Sequence, residues 1–389
     1  MHDQQSEQIR SAWRGSLGHT KRAADSVWLS ASADSTNSVI ARAIADRNAT
    51  DRKAGTSRPL NETVRTLFAD PDSVSIAAKT DHTADDPGSD DPEADALAEL
   101  TRRADVDYDA NDADTAAAWL ASAGLPPDPE ALAVQVPVSV AIADTQTAGR
   151  GRLGRAWYNK AGESFIASYA VAVPKALAVG GSSGWLTMIA GLAALDALGA
   201  ELTNDSAREL DPEARFTLKW PNDVFLIGRK LGGILTELTA VDDEWAAVTF
   251  GIGLNLFVDP DELPTEDSTS LQLHYAPLPS YGELRDRLAA GMATALRVRL
   301  SAFASHPEIV GHLRGEVTDR SWTLGRKVRA QLVAGGAAAG SAADGKTCLG
   351  EVITGTAESI NADASLTVRL ADGTERTITT GDVGVLPDA

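Results

Sequence analysis

Apolar and polar positions follow two different rhythms along this chain. Val134-Gln-Val-Pro-Val-Ser-Val-Ala-Ile-Ala and Ser164-Phe-Ile-Ala-Ser-Tyr-Ala-Val-Ala-Val are short, apolar and rich in β-branched residues, and they predict buried strands. Phe216-Thr-Leu-Lys-Trp and the run from Ala246 to Leu256 predict two more. Asp223-Val-Phe-Leu-Ile, Gly228-Arg-Lys230 and Leu231-Gly-Gly-Ile-Leu-Thr-Glu-Leu read as a hairpin. Helical spacing appears at Val39, Ile40, Ala43 and Ile44, behind Asp34-Ser-Thr-Asn37, whose short polar side chains suit a helix start. It returns from Trp185 to Leu198, with Ser182 and Ser183 as candidate caps. Leu284, Leu288, Met292, Leu296 and Leu300 then follow a Ser280-x-x-Glu283 capping box. From about Ser321 short β segments predict a small barrel, with turns at Asp344-Gly345 and Asp372-Gly373 and a Gly/Ala-rich loop at 334–343.

The periodicity lapses in two places. Residues 1–27 are polar and mixed in charge, and read as a tail with a short helix; a compact segment begins near Ser26-Val-Trp-Leu. Residues 81–114 carry thirteen acidic side chains against Arg102 and Arg103, with almost no aromatic or β-branched residues. Such a segment cannot bury enough apolar surface to offset the entropy of ordering, so disorder is expected, and its deletion is expected to leave activity intact. The organisation is then a tail at 1–27, a main domain at 28–318 with a disordered acidic insertion at about 45–132, and a C-terminal domain at 319–389.

Composition narrows the function classes. The 389 residues carry a formal charge of −20, which argues against general nucleic-acid binding. The single cysteine, Cys348, excludes an intramolecular disulfide and fits a reducing compartment. No apolar stretch follows Met1 to Arg10, and no uncharged apolar run reaches membrane-spanning length, so the expectation is a soluble cytoplasmic protein.

Against this acidic background, residues 146–157 stand out: Gln-Thr-Ala-Gly-Arg-Gly-Arg-Leu-Gly-Arg-Ala-Trp. Glycines let a backbone approach a ligand, and the guanidinium forks of Arg150, Arg152 and Arg155 suit phosphate or carboxylate oxygens. Gly149-x-Gly-x-x-Gly154 spells the dinucleotide fingerprint, but a strand-like run follows it, and positions 169–172 are Tyr-Ala-Val-Ala, without the required acid. No Gly-Lys-Ser/Thr follows, which excludes a Walker loop. Gly180-Gly-Ser-Ser-Gly184 spells a nucleophile elbow, but Pro174 to Val179 separates it from the strand, and a helix cap is the better reading. The histidines at 2, 19, 82, 274, 306 and 312 show no metal-ligand spacing. Lys219-Trp-Pro-Asn-Asp223 places a lysine at a strand end before a rigid turn. Lys230-Leu-Gly-Gly233 and Gly251-Ile-Gly-Leu-Asn255 put glycines inside strands, the mark of a bulge or of a ligand lying on the backbone. Taken alone, Lys219 reads as an exposed turn lysine and Asp34-Ser-Thr-Asn37 as a plain helix cap.

In their order, Asp-Ser-Thr-Asn, Gln-x-x-Gly-Arg-Gly-Arg-x-Gly-Arg-x-Trp, Lys-Trp-Pro-Asn-Asp, Arg-Lys-x-x-Gly-Ile-Leu and Gly-x-Gly-x-Asn resemble the motifs of the biotin protein ligase family, in its form lacking an N-terminal DNA-binding domain. The resemblance covers about 29–40 and 134–305, and more loosely the C-terminal part through Gly381-Asp-Val383. It implies an α+β fold: a mixed β-sheet catalytic domain flanked by helices, like class II synthetases and biotinyl/lipoyl ligases, plus a small SH3-like barrel. It implies that biotin and MgATP give biotinyl-5'-adenylate, which then acylates a lysine of a biotin carboxyl carrier domain. The implied catalytic residues are Lys219, Arg152 and Arg150. Ser35, Thr36, Asn37 and Gln146 would read the ureido ring, and Gly232 and Gly233 would let it lie against the backbone. Gly149, Gly151, Arg155, Trp157, Asn222, Asp223, Lys230 and Asn255 complete the implied binding set.

The implied cofactors are ATP, Mg2+ and the substrate biotin, with no assigned metal ligand and no assigned general base. The implied partner is the carrier, with no DNA or membrane and room for a homodimer. Two departures stand out. Leu153 replaces a basic residue common in relatives, and the spacing from Asn37 to Gln146 is unusually long. The rival readings are a lipoate or octanoate transferase of the same fold and a biotin sensor without turnover.

Overall fold

The computed structural model describes residues 17–69, 114–204, 207–333, 349–379 and 381–386. The acidic stretch 81–113, the Gly/Ala-rich loop, the Asp344-Gly345 turn and Cys348 lie outside these.

The chain opens with α1 (Gly18–Ala23), β1 (Ser26–Ala33), α2 (Thr36–Lys53) and α3 (Leu60–Arg65), and a helix α4 spans 114–122. Then come β2 (Val138–Gln146), β3 (Ser164–Pro174), α5 (Lys175–Val179), α6 (Gly184–Asn204) and β4 (Arg208–Glu209). β5 (Phe216–Lys219), β6 (Asp223–Leu226), β7 (Arg229–Val241) and β8 (Trp245–Asn255) follow, then β9 (Tyr275–Ala276), α7 (Tyr281–Ser305) and α8 (Val310–Asp319). The C-terminal strands are β10 (Lys327–Val333), β11 (Leu349–Ile360), β12 (Leu366–Arg369), β13 (Glu375–Ile378) and β14 (Gly381–Val385). The main sheet runs β1-β2-β3-β8-β7-β6-β5, and the second, antiparallel sheet runs β13-β12-β11-β10-β14. Only the β1–β2 pairing in the main sheet is parallel, so the sheet is mixed as expected.

Both faces of the main sheet are covered, and strand periodicity sorts the side chains between them. Along β3, Tyr169, Val171 and Val173 join α6 and α7 in the larger cluster, which includes Trp185, Ile189, Leu288, Met292 and Leu296. The alternate residues Ala170 and Ala172 join Ala141 and Ala247 beneath Ile40, Ile44, Leu60 and Val64. Small residues on that face let α2 and α3 lie close to the sheet. This explains why β3 reads as a continuous apolar run, since strands buried on both faces lose the alternation seen at a solvent-facing sheet. α6 is the one described helix long and apolar enough to cross a membrane; 72% of its window Gly184–Leu202 is buried inside the fold, where it packs on α7 and the sheet.

The second sheet is docked on the main domain by two indoles. Trp185 Nε1 donates to the Ala362 carbonyl (2.7 Å) and Trp220 Nε1 to that of Ala364 (2.9 Å).

Two boundary expectations are corrected. Residues 17–27 are not a tail: Leu17 and Thr20 are buried, Asp286 on α7 accepts the backbone N–H groups of His19 and Thr20, and Ser26 already belongs to β1. Nor is the whole of 45–132 a disordered insertion. α2 runs on to Lys53, and Leu60, Val64, Leu67 and Phe68 pack into the second cluster. On the far side, Leu120 and Leu132 join the main core, Trp119 Nε1 donates to Glu316 (2.6 Å), and Arg299 lies 4.4 Å over the Trp119 ring. The acidity of 81–114 hid these flanks, because averaging over a charged window dilutes a few well-placed apolar residues. Leu120 is fully buried, so Leu120→Ala should destabilise the protein by about 3 kcal/mol in urea unfolding. An unchanged midpoint would detach α4 from the core.

Candidate functional site

The start of α2, β7 and β8, together with the loops after β2 and β5, enclose a cavity of about 670 Å³. Of the seventeen site residues named from the sequence, fifteen line it: Ser35, Thr36, Asn37, Gln146, Arg150, Gly151, Arg152, Arg155, Trp157, Lys219, Asn222, Asp223, Lys230, Gly233 and Asn255. Gly149 and Gly232 do not. A Cβ on Gly149 would sit 2.7 Å from the Trp157 carbonyl, and one on Gly232 would sit 2.1 Å from the Gly253 carbonyl. Both glycines permit close backbone packing, and neither borders the cavity, unlike the expectation for them.

The Asp34-Ser-Thr-Asn37 segment opens α2, but not by side-chain capping. Ser35 makes no capping bond, and Asp34 accepts two bonds from Arg42 (2.7 and 2.8 Å), which bring its carboxyl down to about 2. The Thr36 N–H, free of an intrahelical partner at this position, donates instead to Gln146 Oε1 (2.9 Å). Thr36, Asn37 and Gln146 thus come together although they are far apart in sequence. Two residues that the sequence reading missed hold Asn37. Ser168 on β3 is fully buried, with Oγ 2.6 Å from Thr36 Oγ1 and 2.5 Å from Asn37 Oδ1. Glu237 on β7 accepts from Asn37 Nδ2 (2.6 Å). The one legible signal was an acid inside the apolar run Ile-Leu-Thr-Glu-Leu.

The glycines of Gly251-x-Gly253 make room for site residues. A Cβ on Gly251 would lie 2.3 Å from Asn37 Oδ1, and one on Gly253 would lie 2.6 Å from the Trp157 indole. Asn255 is committed to structure, donating to the Thr269 carbonyl (3.0 Å).

The arginine loop is folded back on itself. Gly151 N donates to Arg155 O (2.7 Å) and Trp157 N to Gly149 O (2.9 Å). Leu153 (φ 57°) and Gly154 (φ 74°) both take left-handed conformations, which is unusual for a leucine. Arg152 donates to Asn222 Oδ1 (2.9 Å) and to the Gly381 carbonyl (2.7 Å), while Arg155 pairs with Asp382 (2.7 Å). The loop therefore spans from the main sheet to β14. Burial pushes the Arg152 guanidinium down, against the opposing charges of Asp223 and Asp382. Arg150 lies 3.5 Å from Glu237.

Lys219 at the end of β5 and Lys230 at the start of β7 converge on Asp223, at 3.3 and 2.7 Å. Lys219 is thus held inside the cavity and not on an exposed turn. Burial opposes ionisation of Asp223, but Lys230 and Lys219 prevail and hold its carboxyl below the usual range. A group with a depressed folded value stabilises the fold above its unfolded value, and that stability is lost as pH falls through the folded value. Asp223→Asn should therefore flatten the stability loss below about pH 4, read as Tm against pH. An unchanged acid limb would remove Asp223 from this role.

The second sheet and its linker add Trp322, Arg326 and Asp382 to the lining, with the Arg326 guanidinium 3.5 Å over the Trp322 ring. The sequence reading stopped short of this pair because it treated the C-terminal domain as separate from the site. Six lysines and arginines face three aspartates around the cavity, a cationic hollow in a chain of net charge −20. Such a site attracts an anionic ligand and rejects its competitors by polar complementarity.

The chain is similar to several known proteins. Residues 134–255 match the Biotin/lipoate A/B protein ligase family. The chain is 34% identical over 209 residues to a biotin–[acetyl-CoA-carboxylase] ligase of Mycobacterium tuberculosis, covering 52% of this chain and 70% of that one. It is 41% identical over 116 residues to the corresponding Paracoccus denitrificans ligase, covering 30% and 43%. Among solved structures, the biotin protein ligase of Aquifex aeolicus in complex with biotin and ATP aligns with a TM-score of 0.44 and 22% identity, over 64% of this chain and 89% of that one. The match to the Mycobacterium enzyme covers more than two thirds of that protein at 34% identity, and on that ground the chain belongs to the biotin protein ligase family.

Proposed function

We propose that the chain activates biotin with ATP as biotinyl-5'-adenylate and transfers the acyl group to a lysine of a biotin carboxyl carrier domain. The observation that supports this most is the convergence of Lys219 and the arginine loop on the same cavity as the polar wall of Thr36, Asn37 and Gln146. In the first step a biotin carboxylate oxygen bonds to the α-phosphorus and pyrophosphate leaves. Nucleophile and electrophile are both anionic, so fixed cations must offset their repulsion and the charge on the leaving group. Lys219, Arg150 and Arg152 supply them. In the second step the carrier's neutral ε-amine attacks the acyl carbon, AMP leaves with the bonding pair, and the amine proton passes to solvent. No histidine lines the described cavity, and the transfer rests on positioning. The arginine loop, with Trp157 over Gly253, shields the mixed anhydride from water.

Mg2+ would arrive with ATP. The described residues contain no cluster of three or more metal-ligating side chains, and Asp223 and Asp382 are already paired with cations. The residues thus do not build a protein cage for the ion, which would be held by phosphate oxygens. The single cysteine fits a reducing compartment and the acidic charge does not suit DNA, so a cytoplasmic enzyme without DNA binding is the reading.

The rival lipoate chemistry is disfavoured by the hydrogen-bonding wall, which a dithiolane would leave unsatisfied. Incubation with MgATP, tritiated biotin and a carrier domain decides the matter. Label transferred to the carrier is the expected result. Biotin bound without transfer would make the chain a sensor, and label only from lipoate would make it the other ligase.

A further inference from the structure

The arginine loop is a small hairpin, and the rung at its base is made by a side chain. Gly151 N donates to Arg155 O (2.7 Å), Arg150 pairs with Ala156, and Trp157 N donates to Gly149 O (2.9 Å). At the base, Asn159 takes the place of a backbone. Its Oδ1 accepts from the Gln146 N–H (2.8 Å), and its Nδ2 donates to the carbonyls of Gln146 (3.1 Å) and Trp157 (3.5 Å). A backbone N–H only donates and a carbonyl only accepts, so the amide has one possible orientation.

The sheet explains why a side chain is needed there. β2 stays paired with β1 as far as Gln146, but its pairing with β3 ends at Ile142. Thr147 N donates to Ala33 O (2.9 Å) on the β1 side. Strand alternation turns the Gln146 N–H and C=O to the opposite side, which β3 has left. The Asn159 amide carries the same donor and acceptor as a peptide unit and fills that gap. Asn159 is itself anchored through its neighbours. Lys160 pairs with Glu163 (2.7 Å) and Glu262 (2.8 Å), its carbonyl accepts from Ser164 N (3.2 Å), and Glu163 O accepts from the Leu256 and Phe257 N–H groups. Asn159 stands outside the cavity lining, so it acts through the loop that it holds.

We propose that Asn159 is a positioning residue that pins the base of the arginine hairpin and keeps Arg150, Arg152 and Trp157 at the cavity before a ligand arrives. What the pin achieves rests on the function proposed above; the pin itself concerns loop order alone. The ten residues between Gln146 and Trp157 include three glycines, so ordering them loses much conformational entropy. With the base pinned, that loss falls on folding. Without the pin only a fraction of molecules holds the loop in place, and the apparent affinity for each substrate beneath it falls by that fraction. The rate at saturation changes little, because bound substrates then order the loop.

The test is limited trypsin digestion of the full chain, with cuts after Arg150, Arg152 and Arg155 followed by mass spectrometry. A melting curve and KM values for biotin and ATP from pyrophosphate release accompany it. N159L removes both hydrogen bonds with little change in volume. Cleavage in the loop should rise about tenfold, with the melting midpoint close to wild type. Both KM values should rise about five- to tenfold while kcat stays within about threefold. N159D keeps the acceptor but turns the donor into a second acceptor facing two carbonyls, so it should fall as far as N159L. Loop cleavage unchanged in N159L overturns the proposal, as does a loss confined to kcat. If N159L melts early, N159D decides: a loop cut no faster than in wild type overturns the pin. A wild-type chain that releases no pyrophosphate with biotin would instead fail the proposed function, and the digestion would still judge the pin.

Discussion

Lys219→Ala should lower the rate of adenylate formation by about 10²–10³-fold while leaving the fold intact. The ammonium sits at the end of β5 with 15% of its side chain exposed, beside Asp223 at 3.3 Å and 5.6 Å over the Phe225 ring. It is held by two neighbours and not tethered on a flexible arm, so it is in place before charge develops on the reacting oxygens. Preorganisation of that kind is what makes a fixed cation worth more in a closed cavity than in water. Its removal should cost little stability, because Asp223 keeps its shorter contact with Lys230 at 2.7 Å. The measurement is biotin-dependent pyrophosphate release beside a melting curve. Wild-type turnover in a well-folded K219A protein would take Lys219 out of the chemistry, and a collapsed melting curve would make its role structural.

The second large effect separates two adjacent glycines that look alike in the sequence. Gly232 pairs with Leu254 across the β7–β8 ladder, and a Cβ there would sit 2.1 Å from the Gly253 carbonyl and 2.6 Å from Leu254 Cδ2. Backbone atoms of two central strands cannot yield without breaking the ladder, so Gly232→Ala should destabilise the protein by about 3 kcal/mol. For a chain of this size that is a Tm fall of several degrees, or loss of folded protein on expression. Gly233 faces the other way, as strand alternation requires. A Cβ on Gly233 would meet Asp223 Oδ1 at 3.3 Å and the Lys230 side chain at 3.6 Å, which are mobile ends beside the cavity. Gly233→Ala should melt close to wild type and lose about tenfold in biotin affinity from the intruding methyl. The opposite pattern, a stable G232A with impaired binding, would restore the ligand role to Gly232.

These two glycines mark where sequence reading stops. Two glycines inside a strand announce a close approach by something, but which neighbour approaches which glycine depends on register, and the bulge between Val224 and Phe225 shifts the pairing of β6 with β7 at this point. The strand-forming runs, the helix over Leu284 to Leu300 with its Ser280 cap, and the basic loop were all legible, because each depends on neighbours within a few positions. Ser280 does accept from the Glu283 N–H. The motif order also pointed to the family, since each motif keeps its residue types together in a short stretch.

Ser168, Trp322 and Arg326 were not legible, and Glu237 showed only as an acid inside an apolar run. They come from different strands and from the linker to the second sheet, and nothing in their local sequence says that β3 lies against the start of α2 or that the linker closes the cavity. The ends of the supposed insertion were missed for a related reason, as Leu60, Val64 and Leu120 reveal their burial only once the sheet they cover exists. Local chain chemistry thus determined the elements and the cationic loop, and the order of the motifs pointed to the family. The tertiary structure alone decided which side chains share the cavity and which glycines lie against backbone. Hydrogen-bond direction and steric contact are set by groups that meet in space from distant parts of the chain, and the order of residues along it does not encode those meetings one motif at a time.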